Sequence, residues 1–218
     1  PPPDPLWSRG LGDVYKRQTV FVEVEPTRTA EFNAWYNDVH VPEVMDCPGF
    51  LTSIRYEEQG VDGKFMAMYQ LEGQGALETE HFSKARGWKE MKPVVKTSSS
   101  AVWEHIFTAP PGRGSQAENK PNLLRFNRSS VEESHDSEFT AWYNNEHLSE
   151  LLDCPGWLSA SRYKALSGDY QYLATYDLSG QHAFETSDYL RARGFKSVET
   201  HVTAASTLTY KPIFKFNN

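Results

Sequence analysis

One stretch of this chain is written twice. EFNAWYNDVHVPE at positions 31–43 returns as EFTAWYNNEHLSE at positions 138–150. With no gap, the same spacing of 107 residues carries Asp46-Cys47-Pro48-Gly49 onto Asp153-Cys154-Pro155-Gly156. It also carries Arg55-Tyr56 onto Arg162-Tyr163, and Ile106-Phe107 onto Ile213-Phe214. A repeat this long is one folding unit duplicated, and each copy must be packed in a way that accommodates the other. Positions 108–120 (TAPPGRGSQAENK) are rich in Pro, Gly and polar residues and read as a linker. The organisation is then a first repeat at 19–107 and a second at 121–218, each long enough to bury a core.

The order of elements is the same in both copies. Residues 20–24 are short and β-branched, as in a strand. Phe32, Trp35, Tyr36 and Val39 recur at helical spacing, with Thr27 or Thr29 as N-cap. Pro42 and the Pro48-Gly49 pair are expected to end that helix. Residues 50–57 and 64–71 read as strands about a turn at 59–63, 76–86 as a second helix closed by Gly87, and 101–107 as a last strand. This is the ferredoxin-like plan, and the expected class is α+β: two tandem ferredoxin-like βαββαβ repeats. A sheet with both helices on one face leaves the other bare. The two sheets are therefore expected to face each other in a barrel made by one chain, a monomer containing its own pseudo-dimer or a homodimer of such chains. In the third strand Phe65, Ala67, Tyr69 and Leu71 match Tyr172, Ala174, Tyr176 and Leu178 and are assigned to the helix side. Met66, Met68 and Gln70 become Leu173, Thr175 and Asp177 and are assigned to the inner face.

Composition narrows the function. Lys and Arg number 22 against 29 Asp and Glu, a net charge of −7, which argues against a nucleic-acid partner. No apolar run is long enough for a membrane helix. Two cysteines make no disulfide framework; Cys47 and Cys154 read as buried thiols of a cytoplasmic protein. Residues 1–18 are set apart as a non-native or disordered leader, because DVYKRQ at 13–18 looks like a translated sequencing adapter on a metagenomic reading frame. No Gly-rich phosphate loop, nucleophile elbow or Cys-x-x-Cys motif is present, so no nucleotide cofactor is expected.

The string Trp35-Tyr36-Asn37-x-x-His40-x-Pro42-Glu43, followed by Pro48-Gly49-Phe50 and Arg55-Tyr56, resembles the dimeric α/β-barrel superfamily, nearest its EthD-like members. The resemblance covers both copies and implies an intrachain dimeric α/β-barrel. Relatives there include antibiotic-biosynthesis monooxygenases, polyketide cyclases, muconolactone isomerases and haem-degrading enzymes. It implies a small hydrophobic or aromatic, polyketide-like substrate, and some relatives bind haem between helix and sheet. In the second copy Ser149 stands where the first has Pro42, so the loop after His147 is expected to differ.

His40 and His147 are the first catalytic candidates, each near a helix C-terminus with Glu43 or Glu150 three residues on to orient it. The alternative is a helix cap. Tyr36 and Tyr143 lie one turn earlier and could join a proton relay. Asp38 in the first copy and Glu146 in the second add carboxylates unmatched across the repeat. Arg55 and Arg162 could hold a substrate carboxylate or phenolate, or form internal ion pairs with Asp46 or Glu43 and with Asp153 or Glu150. Tyr56, Tyr163, Trp103, His105, Met66 and Met68 complete the expected substrate-binding set. His-x-x-Glu alone makes no metal site, and no metal is expected. The reading is an enzyme with an apolar cavity using His-based acid/base catalysis of the lyase, isomerase or cyclase type. The alternatives are a cofactor-free or haem-dependent monooxygenase and a non-catalytic ligand-binding barrel.

Overall fold

The computed structural model describes residues 15–116 and 120–216. Eight strands alternate with short helices: β1 (Lys16–Val24), α1 (Thr29–Trp35), α2 (Val41–Met45), β2 (Phe50–Glu58), β3 (Lys64–Leu71), α3 (Glu80–Ala85) and β4 (Val95–Thr108) form the first repeat. The second holds β5 (Leu123–Val131), α4 (Asp136–Trp142), α5 (Leu148–Leu152), β6 (Trp157–Ser167), β7 (Tyr172–Leu178), α6 (Ser187–Ala192) and β8 (Val202–Phe216). Lys16, Arg17 and Gln18 of the adapter-like stretch lie in β1, paired with Leu71, Gln70 and Tyr69; residues 1–14 lie outside the described residues.

The expectation of two tandem ferredoxin-like βαββαβ repeats, each with its own sheet, is corrected. All eight strands close into a single antiparallel barrel in the order β1-β3-β2-β8-β5-β7-β6-β4. Two seams make the difference: β2 pairs with β8 from Ser53↔Phe216 to Glu58↔Tyr210, and β4 with β6 from Val102↔Ser167 to Thr108↔Ser161. An edge strand presents unpaired N–H and C=O groups, and here each repeat saturates the other's edge. The strands β4 and β8 achieve this by length. They run 14 and 15 residues, so one end pairs within the repeat and the other crosses to its copy.

Three apolar clusters result, one inside the barrel and one under the helices of each repeat. Phe65, Ala67, Tyr69 and Leu71 lie on the helix side, and Met66 and Met68 inside the barrel. Phe32 and its repeat Phe139 are fully buried under the helices, a gain of about 1.5–3 kcal/mol each over exposure. The repeated Pro-Gly has a backbone reason: Gly49 and Gly156 turn the chain into β2 and β6 with φ of +87° and +88°. A Cβ on Gly49 would also lie 2.8 Å from that of Ala76.

The first helix departs from the sequence expectation. After α1 the chain widens into a π-turn at Tyr36–His40, where the Val41 N–H reaches back five residues to the Tyr36 carbonyl. The extra residue rotates the buried face. Val39, expected in the apolar stripe, is 40% exposed, while His40 and Val41 turn inward. Pro42 does not end the helix: it sits in the first turn of α2, where its missing N–H costs little. The second repeat makes the same π-turn at Tyr143–His147 and continues into α5 with Ser149 in place of proline, so the expected difference after His147 is absent.

Candidate functional site

The candidate residues fall into two groups that do not meet: one under the helices, in duplicate, and one inside the barrel. In the first repeat the buried Arg55 guanidinium donates to Asn37 Oδ1 at 2.6 Å and Asn33 Oδ1 at 2.7 Å, and lies 4.1 Å from the Tyr36 ring centroid. These amide oxygens, not Asp46 or Glu43, are its partners, which corrects the expected ion pair. The hydroxyls of Tyr36 and Tyr69 are 3.2 Å apart. His40 stacks on Trp35 at 5.0 Å and meets Tyr36 edge-on at 4.8 Å. Burial pushes its pKa down to about 4, against the pull of Glu43. The π-turn thus places a neutral imidazole in the core instead of the protonated helix-end histidine expected. Glu43 faces outward to Lys89 and Glu150 to Lys196, so neither orients its histidine.

The second repeat has the same frame with a different polar balance. Arg162 Nη1 donates to Asn144 Oδ1 at 2.7 Å and, at 3.4 Å, to the Thr140 carbonyl. Its Nε and Nη2 are buried without a hydrogen-bond partner among the described residues. One substitution accounts for Nη2: Thr140 stands where the first repeat has Asn33, whose amide oxygen accepts from Arg55 Nη2. Asp153, the expected partner, pairs with Arg113 of the linker. His147 stacks on Trp142 at 4.6 Å, and burial drives its pKa to about 3. Beside it lies a cavity of about 90 Å³ bordered by Asn127, Tyr143, Tyr189 and Phe195. Asp38 and Glu146, on the outer side of the π-turns, are exposed and reach neither cavity.

Inside the barrel the space is larger. Phe21, Phe126, Tyr210 and Leu173 fill one end, with Phe126 making edge contacts to Phe21 at 5.6 Å and Tyr210 at 6.0 Å. Toward the other end a lumen of about 480 Å³ opens, lined by Ile54, Tyr56, Met68, Leu124, Tyr163 and Asp177, with Ser159, Ser161 and Thr175 between them. Trp103 packs deeper, its indole N–H donating to Thr19 Oγ1 at 2.9 Å, near Met66. His105 lies edge-on to Tyr163 at 5.5 Å with Nε2 2.7 Å from Thr108 Oγ1; burial lowers its pKa. Arg17, from the adapter-like stretch, also borders the lumen.

Asp177 was not among the expected site residues. It is the inward residue of β7 where β3 has Gln70, and the period-two pattern of the third strand already marked that position as inner. Ser159 Oγ donates to its Oδ2 at 2.7 Å, and Oδ1 has no hydrogen-bond partner among the described residues. Burial raises its pKa, opposed by Ser159 and Arg17. Burial also raises that of Tyr56, with Asp177 adding to the effect. Cys47 and Cys154 are buried, donate to the carbonyls of Glu43 and Glu150, and have thiol pKa values raised by burial, Cys154 to about 11. They are not poised as nucleophiles.

The helix-side space is too small for a haem. The cavity at His147 is about 90 Å³, against roughly 300–1,000 Å³ for ordinary small-molecule pockets. Both candidate imidazoles are buried, stacked on one tryptophan and edge-on to a tyrosine, so the residues there do not fit a porphyrin. A closed antiparallel barrel with helices outside, made by two repeats of one chain, is the dimeric α/β-barrel architecture. Solved structures agree on the fold. An anthrone oxidase-like protein superimposes with a TM-score of 0.69 over 94% of this chain and 93% of its own, at 13% identity. A Fusobacterium nucleatum protein provisionally assigned as a monooxygenase gives 0.65 over 95% and 96%, at 8% identity. A chlorite dismutase variant from Candidatus Nitrospira defluvii gives 0.60 over 94% and 93%, at 10% identity. No protein-family model and no curated protein matches the sequence. No helix among the described residues is long and apolar enough to cross a membrane.

Proposed function

We propose that the barrel lumen is the reaction chamber of a small-molecule enzyme, and that Asp177 is its acid/base group. One observation carries this reading: a carboxyl whose pKa burial raises projects into a largely apolar space of about 480 Å³. That volume suits a molecule of one or two aromatic rings. A general base works best when its pKa approaches the working pH, and an apolar wall moves a carboxyl in that direction. Ser159 fixes one oxygen, leaving the other to take a proton from an acidic C–H or phenolic O–H of the ligand and return it elsewhere on the molecule. The phenols of Tyr56 and Tyr163 line the same wall and would hydrogen-bond the enolate or phenolate formed. Such proton transfer is the chemistry of isomerases and cyclases. It replaces His40 and His147, which are neutral, stacked and outside the lumen.

A second reading is favoured by the names of the anthrone oxidase-like and monooxygenase-like neighbours. A substrate carbanion made by the same base can itself reduce dioxygen, so a cofactor-free oxygenase would need no further group in the lumen.

Trp103 beside the lumen reports occupancy. Phenols and polyketide-like ring compounds are expected to quench its fluorescence, and Ser161→Trp, which fills the lumen, to abolish the response. A compound that is turned over should lose about 10²–10⁴ in rate in Asp177→Asn with binding retained. The rate should fall as pH drops through the raised Asp177 pKa, because the carboxylate is the base. Dioxygen uptake separates oxygenation from isomerisation. Binding with no turnover of any compound would mark a carrier, and full activity in Asp177→Asn would remove the proposal.

A further inference from the structure

Away from both sites, one cluster of side chains with metal-binding chemistry is assembled from distant parts of the second repeat. Glu132 follows β5, His135 lies in the turn before α4, and His201 directly precedes β8. The backbone joins them: the Glu132 N–H donates to the His201 carbonyl at 3.0 Å, and the His135 N–H to the Glu132 carbonyl at 2.9 Å. Glu132 Oε2 is 3.2 Å from His135 Nδ1 and 3.9 Å from His201 Nδ1. The three donor atoms lie within 4.8 Å of one another. The two imidazoles are face to face, with centroids 3.5 Å apart and planes 9° from parallel.

Two imidazoles and a carboxylate thus bring three donor atoms of the kind that bind divalent cations close together. A divalent cation takes all three donors once one ring rotates out of the stack, because each imidazole lone pair lies in its own ring plane. Bonds of about 2.0–2.2 Å in tetrahedral geometry put ligand atoms about 3.4 Å apart, between the 3.2 and 3.9 Å from Glu132 Oε2 to the two Nδ1 atoms. Ser134 Oγ, 3.0 Å from His135 Nδ1, is the competing partner that an ion would displace. All three ligand residues are partly exposed, so an ion can enter and water can complete its shell. The first repeat lacks the set: Glu25, Arg28 and Val94 occupy the matching positions, and Glu25 pairs with Lys96 there.

We propose that Glu132, His135 and His201 bind one first-row divalent cation of the zinc type, through the two Nδ1 atoms and a carboxylate oxygen, with water in the remaining position. The ion ties the entry of β8 to the turn before α4. Isothermal titration of the full chain with zinc(II) should show one saturable equivalent, and the unfolding temperature should rise with zinc concentration. Cobalt(II) should give the visible absorption of a four-coordinate ion. His135→Ala and His201→Ala should each weaken zinc by more than the roughly tenfold that loss of an outer-shell partner costs. Glu132→Gln, which keeps the side-chain shape and the backbone bonds, should weaken it as well, whereas His182→Ala on another surface should not. Absence of saturable binding, or binding of equal strength in the folded His135→Ala/His201→Ala double variant, would overturn the proposal.

Discussion

Arg55 and Arg162 occupy the same place in the two repeats and meet different company. The first is gripped by two asparagine side chains; the second keeps one such partner and buries two nitrogens without hydrogen-bond partners among the described residues. The contrast recurs. Gln70 in the first repeat faces Asp177 in the second, and Glu25, Arg28 and Val94 face Glu132, His135 and His201. At these positions the first repeat carries paired or uncharged groups where the second carries an unpaired guanidinium edge, a carboxyl and two imidazoles.

The largest test removes each arginine. Arg55→Leu orphans two carboxamide oxygens and should cost about 3–6 kcal/mol, at roughly 1.5–3 for each charge-assisted hydrogen bond. Arg162→Leu loses one such bond but relieves an uncompensated buried cation, and should cost about 1 kcal/mol or less. Urea midpoints measure both, and equal losses would erase the contrast between the repeats.

Acid sharpens it next. His40 and His147 have folded pKa values of about 4 and about 3, below an unfolded value near 6.5. Both are neutral in the fold, so their contribution is complete above pH 6.5 and is lost as pH falls toward 4 and then 3. At about 1.4 kcal/mol per pKa unit, the loss from His40 approaches about 3 kcal/mol and that from His147 is larger. Thermal unfolding between pH 7 and pH 4 should therefore flatten in His40→Phe, and more so in His147→Phe. An unchanged acid limb would place the sensitivity elsewhere. The smallest effect is a repair. Thr140→Asn restores the missing amide to Arg162 and should stabilise by about 1 kcal/mol, a rise of roughly 2–4 °C in Tm for a chain of this size.

The strands were readable because alternation along 64–71 and its copy sorts side chains to two faces, and the matching and diverging residues fell on opposite sides. Other features left no such mark. The β2–β8 and β4–β6 seams are made of backbone hydrogen bonds, and the start of β4 (Val95 onward) is a polar run, KTSSS, whose strand pairing no hydrophobic pattern reveals. The π-turn adds one residue whose cost is met by tertiary packing, so helical spacing alone placed Val39 inside and turned His40 toward the helix end. Thr140 against Asn33 was visible in the sequence, but its meaning depends on where Arg162 points. Asp177 was on the page as an inner residue; what distinguishes it is the empty space in front of it. His135 and His201 meet only because β5 and β8 are neighbours in the barrel.

The seam between β2 and β8 also has a consequence for how the molecule is made. Ser53 finds its partner in Phe216, across most of the chain. During synthesis the edge of β2 must therefore wait until β8 has left the ribosome. Loop closure over such a distance is slow, and an uncovered strand edge in the interval invites pairing with another nascent copy. An arrangement in which one chain closes the barrel by itself thus leaves its first half exposed while it is being translated.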